Sequence, residues 1–261
     1  MWCRDNTGAK LLLKGLEFRS ASSVAKQGFV AGLQQVVGLH HDRLVRVLGA
    51  SVVNHDATLV IAAEFAEKGS LGSILMDTKL LLTREDQLRL CRETAAGLAY
   101  VHAQKQIFGV LSSRKVLLDA AMGIKLNTLA LMKPIYSDVR SPPKSFGSFA
   151  VATTAPELLA YDPTPTTASD IYSLGIVLGE VFTRRPPFEA LYRERGYVAG
   201  DVELVRLLQK GHRLPFPFDE KALLAGSSAD FVSLVKSCLQ TDPSKRPDAA
   251  TVQRRLGLLQ L

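Results

Sequence analysis

Short apolar runs separated by turn-forming residues fill the first quarter of the chain, up to residue 66. Runs of this length bounded by Gly, Asn and Asp are typical of β-strands. Between them, apolar residues recur at helical spacing from Phe29 onward, which predicts one helix over 29–39. The expected strands, paired as two hairpins, are 2–4 with 10–14 and 44–53 with 58–65.

Helical patterns dominate the rest of the chain. Thr83, with Asp86 three residues later, forms a capping-box-like start for a long helix that should run through His102. Prolines near 134–143 and 162–165 predict irregular chain. Further helices are expected over 167–183, over 228–240 and after Pro247.

This change of pattern predicts the fold class. A strand-rich segment, 1–66, followed by a helix-rich segment, 67–261, is typical of an α+β protein. A chain of 261 residues is also long enough to bury one large core. We therefore expect a single bilobal domain with a small β-rich N-lobe and a larger helical C-lobe.

Composition excludes several classes of protein. Hydrophobic residues make up 47% of the chain and charged residues 22%, the balance of a globular rather than a disordered protein. No apolar run approaches the ~18 residues that a membrane span needs, and no secretory signal precedes the first strand. Three scattered cysteines, Cys3, Cys91 and Cys238, predict neither a disulfide framework nor a metal site. We expect a cytoplasmic protein.

The net charge of +7 raises the question of an anionic partner. The basic residues are dispersed, and no aromatic residues alternate with them as base-stacking surfaces require. Diffuse solubilising charge is therefore the favoured interpretation, and no nucleic-acid partner is expected.

Seven short strings, in the correct order along nearly the whole chain, resemble the signature motifs of the protein kinase superfamily. They are most similar to the tyrosine-kinase and tyrosine-kinase-like branch. The strings are residues 11–14, 41–46, 64–71, 97–102, 155–157, 169–175 and 242–247. The resemblance implies a bilobal kinase-like fold.

The resemblance also implies where a nucleotide would bind. Lys14 stands at the strand lysine that grips the phosphates, and Ala63 at the residue that controls access to the back of the cleft. Glu64 and Ala66 stand in the hinge that follows. A solvated strand lysine and ordinary strand packing remain the alternatives for Lys14 and Ala63.

Three further positions resemble architectural residues of the family. Glu157 and Arg246 stand at a buried ion pair that ties the activation segment to the C-lobe. Asp170 stands at a helix carboxylate that anchors the backbone of the catalytic loop. We expect all three to support the fold rather than chemistry.

The sequence departs from the family at the catalytic positions. Val110 stands in place of the catalytic aspartate, and Lys115 in place of a metal-binding asparagine. Thr128 stands at the metal-binding aspartate, with Asn127 the substitute if the register slips by one, and Gly32 replaces the helix glutamate that pairs with the strand lysine. Phosphoryl transfer needs carboxylates and Mg²⁺ at these places, so we expect no catalytic residue here.

The Gly-rich phosphate loop and the first strand of the family are also missing. Only thirteen residues precede Lys14, and Gly8 is their one glycine. Either the protein never had this strand, or the chain is a fragment of a longer protein.

These observations favour a pseudokinase that acts as an interaction or allosteric module with protein partners. Nucleotide binding is expected to be weak or absent, with ATP bound without Mg²⁺ if at all. The alternatives are a protein kinase with an atypical mechanism, for which Asp119 is the nearest spare carboxylate, and a regulatory kinase-homology domain of a larger receptor. Phosphorylation could order the 132–149 region, although exposed polar loop residues are the simpler interpretation; the candidates are Tyr136, Ser141, Ser145 and Ser148.

Overall fold

A computed structural model describes residues 2–4, 10–17, 22–53, 58–109, 111–131, 150–160 and 164–260. Its first sheet has four antiparallel strands in the order β1-β2-β4-β3. The strands are β1 Trp2–Arg4, β2 Lys10–Glu17, β3 Val47–Val53 and β4 Thr58–Glu64. Both predicted strand pairs are confirmed, whereas their turns at 5–8 and 54–56 lie outside the described residues.

One helix, α1 Ser23–Val37, packs on this sheet. Phe29 and Val36 on its inner face join Ile61 of β4 in a small apolar core. The helix starts six residues before the predicted 29–39 because its first turns, including Val24 at 75% exposed, carry no apolar stripe that the pattern could show.

The expected strand over 44–53 is wrong at its start. Leu44 forms an isolated parallel bridge with Leu126, and the backbone N–H of Val45 donates to the carbonyl of Leu126 at 2.9 Å. This segment therefore pairs with a different sheet before β3 begins at Val47, and it ties the two parts of the molecule together.

That second sheet has three short antiparallel strands among the described residues. They are β5 Gly69–Ser70, β6 Val116–Leu118 and β7 Ile124–Leu126. Helices supply the rest of this larger part. They are α2 Leu71–Met76, α3 Arg84–Ala103, α4 Ala150–Thr153, α5 Pro156–Ala160, α6 Thr167–Thr183, α7 Glu189–Arg195, α8 Tyr197–Gln209, α9 Glu220–Gly226, α10 Ala229–Cys238 and α11 Ala249–Leu258.

The core of the larger part is built around α3 and α6. The predicted capping box of α3 is present, with the side chains of Thr83 and Asp86 each accepting the other residue's backbone N–H. Nearly every residue of α6 between Ser169 and Phe182 is buried, which is the expected state of a helix that is apolar all round. Gly179 of α6 admits the ring of Phe218, because a Cβ there would lie 2.1 Å from that ring.

The molecule therefore has a small sheet region and a larger helical part, which confirms the α+β fold class and the bilobal arrangement. Among the described residues, no helix has both the length and the apolar content needed to cross a membrane.

Candidate functional site

The candidate site lies where the first sheet meets the helical part. Strands β2 and β4 border it from one side, and the loop 108–115 with residues 126–131 from the other. Asn127 donates its backbone N–H to the carbonyl of Lys115 at 2.9 Å, so these two segments are held side by side. Val110, expected in place of the catalytic aspartate, lies outside the described residues.

Lys14 is exposed on β2 and pairs in register with Ile61. Residues directly opposite each other in a sheet share a face, so Lys14 lies on the same face as Ile61 and Ala63. Gly32 on α1 has no side chain to offer, and no carboxylate in the described ranges lies within ion-pair distance of Lys14. Its ammonium group is therefore solvated rather than held in place.

The hinge positions are occupied by structural contacts. Ala63 is fully buried in the apolar core of the sheet. The carboxylate of Glu64 pairs with the ammonium of Lys125 at 2.8 Å and accepts the backbone N–H of Arg46 at 3.1 Å. The carbonyl of Ala66 accepts the N–H of Gly69 at 3.3 Å.

Thr128 is turned away from the cleft. Its side chain is 1% exposed, and its hydroxyl donates to the carbonyl of Val45 at 2.6 Å. The neighbouring Asn127 caps a short 3₁₀-helix, Thr128–Ala130, by accepting the N–H of Leu129 at 3.2 Å. Both polar side chains that could substitute for a metal carboxylate are therefore used by the backbone.

The residues at these positions do not fit a Mg²⁺ ion. Mg²⁺ requires hard oxygen ligands, whereas Lys115 adds a positive charge and the hydroxyl of Thr128 is already bonded. Asp119 accepts the N–H of Ala121 and of Gly123, so it closes the turn between β6 and β7. No group of three or more metal-ligating side chains occurs within the described ranges.

The loop that carries these positions is held from below by Asp170 of α6. Its buried carboxylate accepts the N–H of Phe108 at 2.7 Å and of Gly109 at 2.6 Å, and it lies 2.9 Å from His102 Nε2. Gly109 has a φ of +80°, a conformation that glycine adopts at little cost. The backbone path of the loop is thus fixed without any contribution from its side chains.

A second anchor joins α5 to the end of the chain. The guanidinium of Arg246, fully inaccessible at its side chain, makes a bidentate pair with the Glu157 carboxylate at 2.6 and 2.8 Å. It also donates to the carbonyls of Ala168 and Gln240. Every donor direction of this buried cation that matters for its solvation is satisfied by protein.

One polar residue at the site escaped the sequence analysis. Glu180 of α6 lies beneath the loop, and burial raises its pKa to about 7, opposed by the hydroxyl of Ser113 and the charge of Arg114. Its Oε2 atom is buried without a hydrogen-bond partner among the described residues. A lone carboxylate in the apolar run after Asp170 was the signal in the sequence.

The positions suggested for phosphorylation stay a prediction. Tyr136, Ser141, Ser145 and Ser148 all lie outside the described residues, so their surroundings are not part of the site as described.

Comparison with known proteins follows the same line as the geometry. A family model for protein tyrosine and serine/threonine kinases matches residues 2–256. The chain is 28% identical to human tyrosine-protein kinase Srms over 226 residues, 86% of this chain and 42% of that protein. It is 28% identical to Xenopus laevis ephrin type-B receptor 1-A over 83% of this chain and 20% of that protein. It is also 28% identical to human atrial natriuretic peptide receptor 2 over 85% of this chain and 21% of that protein. The chain thus spans less than half the length of these relatives.

Proposed function

Because the chain belongs to the protein tyrosine and serine/threonine kinase family, we propose that it is a pseudokinase. It keeps the fold, does not transfer phosphate, and acts on protein partners as an interaction or allosteric module in signalling. The observation that carries this proposal is the buried hydrogen bond from Thr128 to the carbonyl of Val45 at the position of the metal-binding aspartate.

The physical argument rests on charge. In-line phosphoryl transfer requires a divalent ion to neutralise the phosphates and a carboxylate to orient the attacking hydroxyl. Lys115 places a cation where the metal should bind, and Thr128 offers no free oxygen. Losing one such group already removes several kcal/mol of transition-state stabilisation, so the combined loss leaves no route by the usual mechanism.

Nucleotide binding, if present, would be weak and independent of metal. Lys14 shares a sheet face with Ala63 and is free to reach a phosphate, yet Gly32 gives it no carboxylate to orient it. The Glu64 carboxylate is engaged by Lys125. We propose that ligands or partners change the module by favouring one conformation of the cleft.

A phosphotransfer assay and a thermal-shift titration test the proposal together. Purified protein is incubated with labelled ATP and either Mg²⁺ or Mn²⁺, and its melting temperature is followed with ATP in the presence and absence of metal. We expect no transfer, and any rise in Tm by linkage to be the same with and without metal.

A matched pair of variants makes the result interpretable. Lys14→Ala removes the cleft lysine, and Lys210→Ala removes an exposed lysine at the end of α8. Metal-dependent transfer that is lost in Lys14→Ala and kept in Lys210→Ala would overturn the proposal and establish an atypical kinase.

A second candidate is a kinase-homology part of a larger receptor. It is favoured by the similarity to ephrin type-B receptor 1-A and atrial natriuretic peptide receptor 2, of which the chain covers 20% and 21%. Mass spectrometry of the endogenous protein, enriched with an antibody against this domain, tests it. Peptides from a receptor segment in the same polypeptide would support it, and a polypeptide near 28.4 kDa would contradict it.

A further inference from the structure

A cavity of about 680 Å³ lies under the loop 108–115, on the side away from the first sheet. Its walls come from α2, from the loop, from α6 and from the chain that follows α6. Leu75, Met76, Leu111 and Pro186 contribute apolar surface, and the hydroxyls of several serines and threonines interrupt it. A volume of this size and mixed character is typical of a small-molecule site.

Glu180 lines this cavity and is its only carboxylate among the described residues. Ser113 donates its hydroxyl to the carboxylate, while Oε2 is buried and without a partner. A buried, half-satisfied carboxylate costs free energy, and a native structure seldom keeps one without a reason. A small rotation of the carboxyl group would present Oε2 to the cavity.

The cations around the cavity do not complete this site. Arg184 donates to the backbone carbonyls of Ile74, Leu75, Asp77 and Leu80, which holds it against the end of α2. Arg185 pairs with Glu189 at 3.2 Å, on the far side of the chain that follows α6. Arg114 and Lys115 line the cavity from the loop, but Oε2 has neither as a hydrogen-bond partner.

From this geometry we infer that the cavity is a binding site for a small organic cation, a protonated amine or amidine on an apolar body, whose N–H groups bond Glu180. The apolar body would lie against Leu75, Met76 and Leu111. The site is separate from the nucleotide-binding positions Lys14, Ala63 and Ala66, and the inference holds whether or not the protein transfers phosphate.

The inference has a measurable pH dependence. Burial raises the pKa of Glu180 to about 7, so the carboxyl group is mostly protonated at pH 6 and mostly ionised at pH 8. A cation binds the ionised form, and the dissociation constant at pH 6 should therefore be about tenfold higher than at pH 8. The neighbouring cations Arg114, Lys115, Arg184 and Arg185 keep their charge over this range.

Benzamidine and benzamide are suitable probes, because they have nearly the same shape and differ in charge. Calorimetric titration of the full chain should give saturable benzamidine binding at pH 8, about tenfold weaker binding at pH 6, and at least tenfold weaker binding of benzamide. Equal affinity for both probes, or binding that does not change with pH, would overturn the inference.

Variants identify the site. Glu180→Gln should abolish benzamidine binding and its pH dependence, and Glu194→Gln, which removes an exposed carboxylate of α7 outside the cavity, should leave both unchanged. Ser73→Trp fills the cavity from the exposed side of α2 and keeps Glu180, so it should also block binding. Benzamidine binding that survives Ser73→Trp, or that requires a lysine- or arginine-containing peptide instead of the free amidine, would contradict the assignment.

Discussion

The two sides of the loop 108–115 treat charge in opposite ways. Below it, Asp170 accepts two backbone N–H groups and contacts His102, and Arg246 is paired bidentately with Glu157. Above it, Lys14 and Lys115 have no ion pair in the described part of the chain.

The difference separates what the fold requires from what catalysis would require. Buried charges on the helical side are kept because each one is satisfied, and removing one partner would leave the other stranded. The cleft charges bear no packing and are free to change. Measurements of stability on the two sides therefore test the comparison directly.

The largest effect is expected for Arg246→Ala. The substitution leaves the Glu157 carboxylate without its bidentate partner and removes donors from two carbonyls. We expect a loss of about 3–5 kcal/mol, seen as a fall in Tm on the order of 10 °C for a chain of this size. Arg206→Ala, which breaks an exposed pair with Glu203 on α8, is the control and should cost under about 1 kcal/mol. Similar losses in the two variants would show that the buried anchor is not special.

Glu180 should produce an effect of about 3 kcal/mol that depends on pH. Its pKa in the folded protein is raised by burial to about 7, from an ordinary value of 4.5. The folded protein therefore keeps a proton that the unfolded chain loses first, so the stabilisation is complete below pH 4.5 and is lost as the pH rises to 7. Glu180→Gln has no such group, and its Tm relative to the wild type should rise over this range. Parallel curves for the two proteins would contradict the assigned pKa.

Thr128→Val should cost about 1–2 kcal/mol, because it keeps the shape of the side chain but leaves the carbonyl of Val45 without its donor. Thr128→Asp, which restores the residue of the kinase family, should cost more, since it places a carboxylate against that carbonyl in a buried setting. Thermal unfolding in the same buffer compares them. An aspartate variant as stable as the wild type would mean that the side chain is free to turn into the cleft.

The smallest effects are expected above the loop. Lys14→Ala and Lys115→Ala should each change the free energy of unfolding by less than about 0.5 kcal/mol, as for ordinary surface substitutions. A loss above about 2 kcal/mol in either would show that the cleft lysines support the fold, and the contrast between the two sides would disappear.

The sequence predicted the fold where local signals agree with packing. The bounds of α6 at Thr167–Thr183 match the prediction, because a capping residue, Thr166, precedes an unbroken apolar run. The short helices α7 and α9 were not predicted individually, since seven residues carry too little periodicity. The pairing of Leu44 with Leu126 was missed because it joins positions 82 residues apart.

The site was predictable in its residue types and not in its contacts. The motif order placed Lys14, Lys115 and Thr128 at the cleft, but the hydrogen bond of Thr128 to Val45 depends on the path of the chain through both sheets. Glu180 was missed for a related reason. Its neighbours Ser113 and Arg114 come from a loop that only the tertiary fold brings to α6.

The grip of Asp170 on Phe108 and Gly109 involves only main-chain N–H groups. Such a bond is indifferent to the side chains of the loop, because each residue other than proline carries the same donor. The molecule is therefore a scaffold whose loop could be rewritten by design: new side chains at 111–115 would inherit the same backbone course, and ligand-binding groups could be installed there one at a time.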